Sequence, residues 1–121
     1  MINSQIIKFA ADTSNYGIKK NSDFIATCKN KLCGDRITVE LEVSKKIIRN
    51  MRYETESCIF CQASASLLSK SIKNMNKNSL ISFLDNEIKN NNFKKLLKNK
   101  ERIKCVMLPF EALQKAVSIS K

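Results

Sequence analysis

The amino-acid sequence predicts an α+β fold, a three-stranded antiparallel sheet with helices packed on one face. Three observations carry that expectation. The stretch "RITVELEV" (Arg36–Val43) alternates polar and apolar residues, the chain switches to helical spacing from about Cys61 onward, and only short connections separate three strand candidates.

Each element has its own signature. Ile2, Ile6, Phe9 and Ala10 recur at helical spacing, and "NYG" (Asn15–Gly17) ends that first helix with a turn. "DFIATCK" (Asp23–Lys29) alternates as a first strand. In the second, Ile37, Val39, Leu41 and Val43 share one face while Arg36, Thr38, Glu40 and Glu42 share the other. Such a strand is expected to be packed on one side only. "SKK" makes the next turn, and "IIRNMRY" (Ile47–Tyr53) returns as the third strand. In the helix that follows, Ala65, Leu68 and Ile72 share a face, and Ala63, Ser64 and Ser66 are small enough for close approach to the sheet. "NSLISFLDNEI" predicts a helix capped by Asn78 or Ser79, with Leu80, Leu84 and Ile88 as its stripe. "FKKLLK" (Phe93–Lys98) predicts a short helix. Pro109 suits the first position of a last helix whose buried face is Phe110, Leu113 and Val117.

At 121 residues the chain is expected to form one domain, residues 1–121, and 43% hydrophobic residues suffice for a modest core. No apolar run approaches the ~18 residues of a membrane span. The first residues lack the layout of a signal or transit peptide, so the expected location is cytoplasmic. Five cysteines without a secretory signal point to reduced thiols rather than a disulfide framework. The chain has no histidine, which excludes Ser-His-Asp and Cys-His catalysis and any Cys/His zinc finger. A metal would have to be held by Cys with Asp or Glu. The net charge of +11 comes largely from lysines scattered among asparagines, as in "KNNNFKKLLKNKER" (Lys89–Arg102), without a nucleic-acid motif. Solvated lysines or an acidic protein partner are expected, not a specific nucleic acid.

Three cysteines fall at junctions between elements, where function concentrates. Cys33 lies in "NKLCGD", between the first two strands; Cys58 follows the third strand at the start of a helix; Cys105 lies in "RIKCVMLPF", leading into the last helix. In a meander the first turn and the far end of the third strand share one end of the sheet, so Cys33 and Cys58 can converge and Cys105 can join them. Gly34 permits a tight bend, and Asp35 adds a carboxylate. Two readings stand at this point. Three thiolates and a carboxylate suit Zn²⁺ or an iron–sulfur cluster, and the same cysteines would also pack as buried thiols. Cys28, in the alternating first strand, reads as packing. Cys61 shares the helical face of Cys58, and either joins the site as an auxiliary ligand or sulfur acceptor or faces the core. A thioredoxin-like dithiol is disfavoured, because no βαβ pattern surrounds "CIFC" (Cys58–Cys61).

These stretches resemble the iron–sulfur cluster assembly scaffold family, the NifU N-terminal-domain family that includes IscU and SufU. "NKLCGDRITVELEV" is similar to the family's Asn-Pro-x-Cys-Gly-Asp motif, and "SCIFCQASASLL" to its Gly-Cys-x-x-Ser-x-Ala-Ser-Ala-Ser motif. "RIKCVMLPFEALQKA" resembles the Arg-Ile-Lys-Cys segment of the SufU branch, and "NYG" its Asn-x-Gly. The resemblance implies a scaffold rather than a self-sufficient enzyme. It implies that Cys33, Asp35, Cys58 and Cys105 hold the metal, with Cys58 and Cys105 as candidate persulfide acceptors. The implied cargo is iron or a transient [2Fe–2S] cluster, with zinc as the alternative in a SufU-like sulfurtransferase. A degenerate relative acting only as a binding module is the third reading. The implied partners are a cysteine desulfurase and apo iron–sulfur or carrier proteins. A thiolate near a helix N-terminus is favoured by the local dipole, and a hard carboxylate among soft thiolates makes a weak, exchangeable ligand. The chain departs from the pattern at Lys31 (for proline), Ser57 (for glycine), Cys61 (for serine), Lys104 (for the IscU histidine) and Phe110, an aromatic that is often Trp in SufU.

Overall fold

The structure, a computed structural model, describes residues 4–22, 24–30, 34–90 and 103–119. Its elements are α1 (Ser4–Ala11), β1 (Phe24–Asn30), β2 (Asp35–Ser44), β3 (Ile47–Glu56), α2 (Ile59–Ser71), α3 (Lys77–Asn90) and α4 (Ile103–Ile119). The strands form one antiparallel sheet in the order β1-β2-β3, and the fold is α+β as expected. The expected helix at Phe93–Lys98 lies outside the described residues.

The alternation in β2 places Ile37, Val39 and Leu41 at zero exposure on the inner face, opposite Met51 and Tyr53 of β3. Burying each such side chain is worth about 1.5–3 kcal/mol. Helix α4 lies across β1 and β2, α2 packs between α1 and α4, and α3 rests on α4. Phe110 is fully buried in this layer, with the Phe83 ring 6.5 Å from its own. The small residues Ala63, Ser64, Ala65 and Ser66 of α2 are all buried. Ser64 does more than fit, because its hydroxyl donates to the Val106 carbonyl of α4 at 2.6 Å.

Three local expectations need correction. Pro109 lies inside α4 rather than at its start. A proline has no N–H to give the carbonyl four residues back, which is that of Cys105, so the helix has a weak point at its first turn. Helix α3 is capped by Asn76, not by Asn78 or Ser79. The Asn76 side chain accepts from the Asn78 N–H at 2.8 Å, and its carbonyl accepts from the Leu80 N–H at 2.9 Å.

The outer face of β2 is also less exposed than alternation implies. Glu40 is fully buried, because the segment between Gly17 and Ser22 crosses this face of the sheet. That segment has no ladder of its own. The Lys19 and Asn21 N–H groups bind the two oxygens of Glu40 at 3.0 and 2.9 Å, and the Ile18 N–H binds Glu54 at 2.7 Å. Just before it, the chain runs beside β3, where Gly17 N–H donates to the Tyr53 carbonyl and Tyr53 N–H to that of Asn15. The free edge of β3 is thereby covered at Tyr53.

Replacing Glu40 by alanine strands two backbone donors. Glu40→Ala is expected to lower the urea unfolding free energy by about 2–3 kcal/mol, and Glu54→Ala, at an exposed position with one such donor, by less than about 1 kcal/mol.

Candidate metal centre

The β2–β3 ladder ends with Arg36 facing Glu56, and β1–β2 ends with Asn30 facing Asp35. The first residue of β2 and the residues after β3 therefore emerge together. Gly34, at φ +73°, makes the backbone turn into β2 in the left-handed region that favours glycine, and its N–H donates to the Asn30 carbonyl at 2.9 Å. Cys58 is the N-cap of α2, with extended backbone and no capping bond from its own side chain. Its thiol is thus left for other chemistry. Cys105 comes from the first turn of α4, not from a lead-in segment.

One carboxylate oxygen of Asp35 and the sulfurs of Cys58 and Cys105 all lie within 4.8 Å of one another. Asp35 and Cys105 are buried, at 5% and 3% exposure, and Cys58 is half-buried. Asp35 Oδ1 accepts the Cys58 backbone N–H at 3.3 Å, whereas its buried Oδ2 has no hydrogen-bond partner among the described residues. A buried carboxylate oxygen without a donor is costly, and a cation resolves it. Burial pushes the Cys105 thiol up from its ordinary value, and the Cys58 sulfur and the Asp35 carboxylate beside it act in the same direction. A metal ion would reverse that balance by favouring the thiolate. Two sulfurs and one carboxylate oxygen fit Zn²⁺ or iron, with a position left for another donor.

Of the four residues singled out by the sequence, the structure brings together Asp35, Cys58 and Cys105. Cys33 lies outside the described residues, within the connection between β1 and β2. Cys61, for which two readings stood, is fully buried in the core, 3.9 Å from the Thr55 hydroxyl, and is not part of the group. Cys28 packs partly buried against the core from β1. Burial raises its thiol, the nearby Lys115 opposes that rise and Glu111 adds to it. Lys104 is exposed. Two residues not flagged by the sequence adjoin the group: the Thr55 hydroxyl bonds to the Arg36 carbonyl, next to Asp35, and to the Ser57 hydroxyl, and Gln62 donates to the Ser57 carbonyl, just before Cys58.

A family model described as the NifU-like N terminal domain matches residues 1–120. The chain belongs to this family. Among curated NifU-like relatives, it is 26% identical to the iron-sulfur cluster assembly scaffold protein IscU of Thermotoga maritima, over 97% of this chain and 92% of that protein. It is 27% identical to the zinc-dependent sulfurtransferase SufU of Bacillus subtilis, over 81% of this chain and 77% of that one. Among solved structures, the N-terminal part of a NifU-like protein from Brucella abortus superposes with a TM-score of 0.80 at 22% identity, covering 98% of this chain and 95% of that chain. The SUF-system protein FiSufU from Fervidobacterium islandicum gives 0.78 at 20% identity, with 95% of each chain covered. These two likenesses carry the NifU-like fold.

Within that fold, burial sets Cys61 apart from Cys58. It pushes the Cys61 thiol up to about 12, against an ordinary value of 9.0. The folded chain then keeps a proton that the unfolded chain loses above about pH 9, so this contribution to stability falls by ~1.4 kcal/mol per pH unit between about 9 and about 12. Cys61→Ala is expected to make the alkaline decline of the unfolding free energy shallower, measured in urea under reducing conditions from about pH 8 to about pH 10. Parallel curves for the two proteins would refute the assignment.

Proposed function

We propose that the chain is an iron–sulfur cluster assembly scaffold, in which Cys33, Asp35, Cys58 and Cys105 hold iron and the nascent [2Fe–2S] cluster. The observation that carries this reading is the convergence of Asp35, Cys58 and Cys105, with a buried Asp35 oxygen that has no hydrogen-bond partner among the described residues. Membership of the NifU-like family and the likeness to a scaffold and a sulfurtransferase support it. Sulfur would arrive from a cysteine desulfurase. A thiolate of Cys58 or Cys105 attacks the outer sulfur of the donor persulfide, forming the new persulfide here and releasing the desulfurase cysteine as thiolate. Half-buried Cys58 is the more accessible acceptor. Cluster cargo then passes to apo-proteins or carriers. The basic surface suits acidic partners, and no specific nucleic acid or membrane is invoked. Among the described residues, no helix is long and apolar enough to cross a membrane. The proposed setting is the cytoplasm.

A second reading is a zinc-dependent sulfurtransferase. It is favoured by the compactness of the group, whose ligand atoms all lie within 4.8 Å of one another, as around a single ion. There Zn²⁺ would keep the thiolates ionised, and one of them would accept sulfur in the same exchange.

Anaerobic reconstitution with iron, cysteine and a cysteine desulfurase separates the two. The scaffold reading expects a [2Fe–2S] absorption spectrum that is lost in each of Cys33→Ser, Cys58→Ser and Cys105→Ser. Stoichiometric zinc that resists exchange, with persulfide transfer and no cluster, would favour the sulfurtransferase. Binding neither metal nor persulfide would sink both.

A further inference from the structure

Behind Cys58, Gln62 on one side and the ligand candidate Asp35 on the other hold one peptide unit. The Ser57–Cys58 peptide is planar and trans, so its C=O and N–H point in opposite directions. Gln62 Nε2 donates to the Ser57 carbonyl at 2.9 Å, and the Cys58 N–H donates to Asp35 Oδ1 at 3.3 Å. Rotating the plane would break both bonds together. The Ser57 side chain adds a third tie, because its hydroxyl lies 2.7 Å from that of Thr55, which lies 2.6 Å from the Arg36 carbonyl.

Proton accounting makes Thr55 the hub. A carbonyl only accepts, so the single Thr55 hydroxyl proton goes to Arg36, and Ser57 must donate to Thr55. The remaining lone pair of Thr55 faces Cys61 Sγ at 3.9 Å, so that thiol is the donor there. Thr55 thus links β2 next to Asp35, the residue before Cys58, and the first turn of α2. Ser57 stands where the family pattern has glycine, and Cys61 where it has serine, so two of the parts are this chain's own.

We propose that Thr55 and Gln62 are positioning residues for the metal centre. They clamp the Ser57–Cys58 peptide plane, which holds Asp35 by Oδ1 and leaves the buried Oδ2 without a hydrogen-bond partner among the described residues. The inference rests on the metal-centre reading for its purpose, but the clamp itself exists without metal.

The test uses the full, reduced, metal-free chain labelled with ¹⁵N, comparing wild type with Thr55→Val, Thr55→Ser and Gln62→Leu. Amide hydrogen exchange at Cys58 reports the bond to Asp35, and exchange at Ile72, bonded to Leu68 in the last turn of α2, is the internal reference. Thr55→Val and Gln62→Leu are expected to speed exchange at Cys58 about tenfold with Ile72 unchanged, and Thr55→Ser to restore protection. In a Co²⁺ titration the same two variants are expected to bind about tenfold more weakly, as loss of groups that orient ligands does elsewhere. Unchanged exchange at Cys58, or equal acceleration at Ile72, overturns the clamp. Gln62 is half-buried on α2 and leucine is a good helix former, so Gln62→Leu decides the matter should Thr55→Val not fold. Wild type that takes up Co²⁺ without thiolate-to-metal absorption refutes the metal-centre reading, while the exchange data still decide the clamp.

Discussion

The β2–β3 register governs the end of the molecule that carries the candidate metal centre. With Arg36 opposite Glu56, the chain reaches Asp35 at the start of one strand and Cys58 two residues beyond the end of the other. A slip of one residue would turn Ile37, Val39 and Leu41 to the outer face and carry Asp35 away from Cys58. Since those three side chains are fully buried, the hydrophobic core that stabilises the sheet also fixes the spacing of the polar group. Packing and chemistry are therefore set by the same pairing. The bulge between Glu42 and Val43, where the register shifts from Asn50 to Ile48, sits at the opposite end of the hairpin and leaves the site end regular.

The third member of the group depends on a helix with a defect. Cys105 precedes Pro109 by one helical hydrogen bond, the one that proline cannot make. Ser64 of α2 donates to the next carbonyl, that of Val106, so two helices are fastened at the place where α4 is weakest internally. This compensation is local and polar, within an otherwise apolar contact. It ties the placement of Cys105 to α2, the helix whose N-cap is Cys58.

Much of the fold was legible because it follows from periodicity. Alternation in "RITVELEV" marks β2 and its buried face, and the stripe Ala65, Leu68, Ile72 marks the buried side of α2. The junction positions of Cys58 and Cys105, with Asp35 after a glycine, singled out three residues that the structure brings together as a candidate site. What periodicity could not reveal involves partners far away in sequence. Glu40 reads as a surface residue until the segment from Lys19 to Asn21 is seen to lie over it. Asn76 caps α3 from a position that shows no apolar pattern. Pro109 is tolerated in a helix interior because neighbouring elements absorb its cost, which local rules do not register. Cys61 shares a spacing with Cys58, yet a cap residue and a residue inside the first turn meet different surroundings. One belongs to the group with Asp35 and Cys105 and the other to the core. Thr55 and Gln62 carry no signal in composition or spacing, since only the folded backbone gives them anything to hold.

The unequal burial of the three groups has a consequence for traffic. Asp35 and Cys105 are almost sealed, and Cys58 is the member that meets solvent among the described residues. A site open on one side works like a dead-end berth. Under the proposed metal-binding reading, an arriving ion would shed its water progressively as it moved inward, and the group it met first would also be the last it touched on departure. A donor and a recipient that both reach over Cys58 would want the same surface, so delivery and collection would take turns.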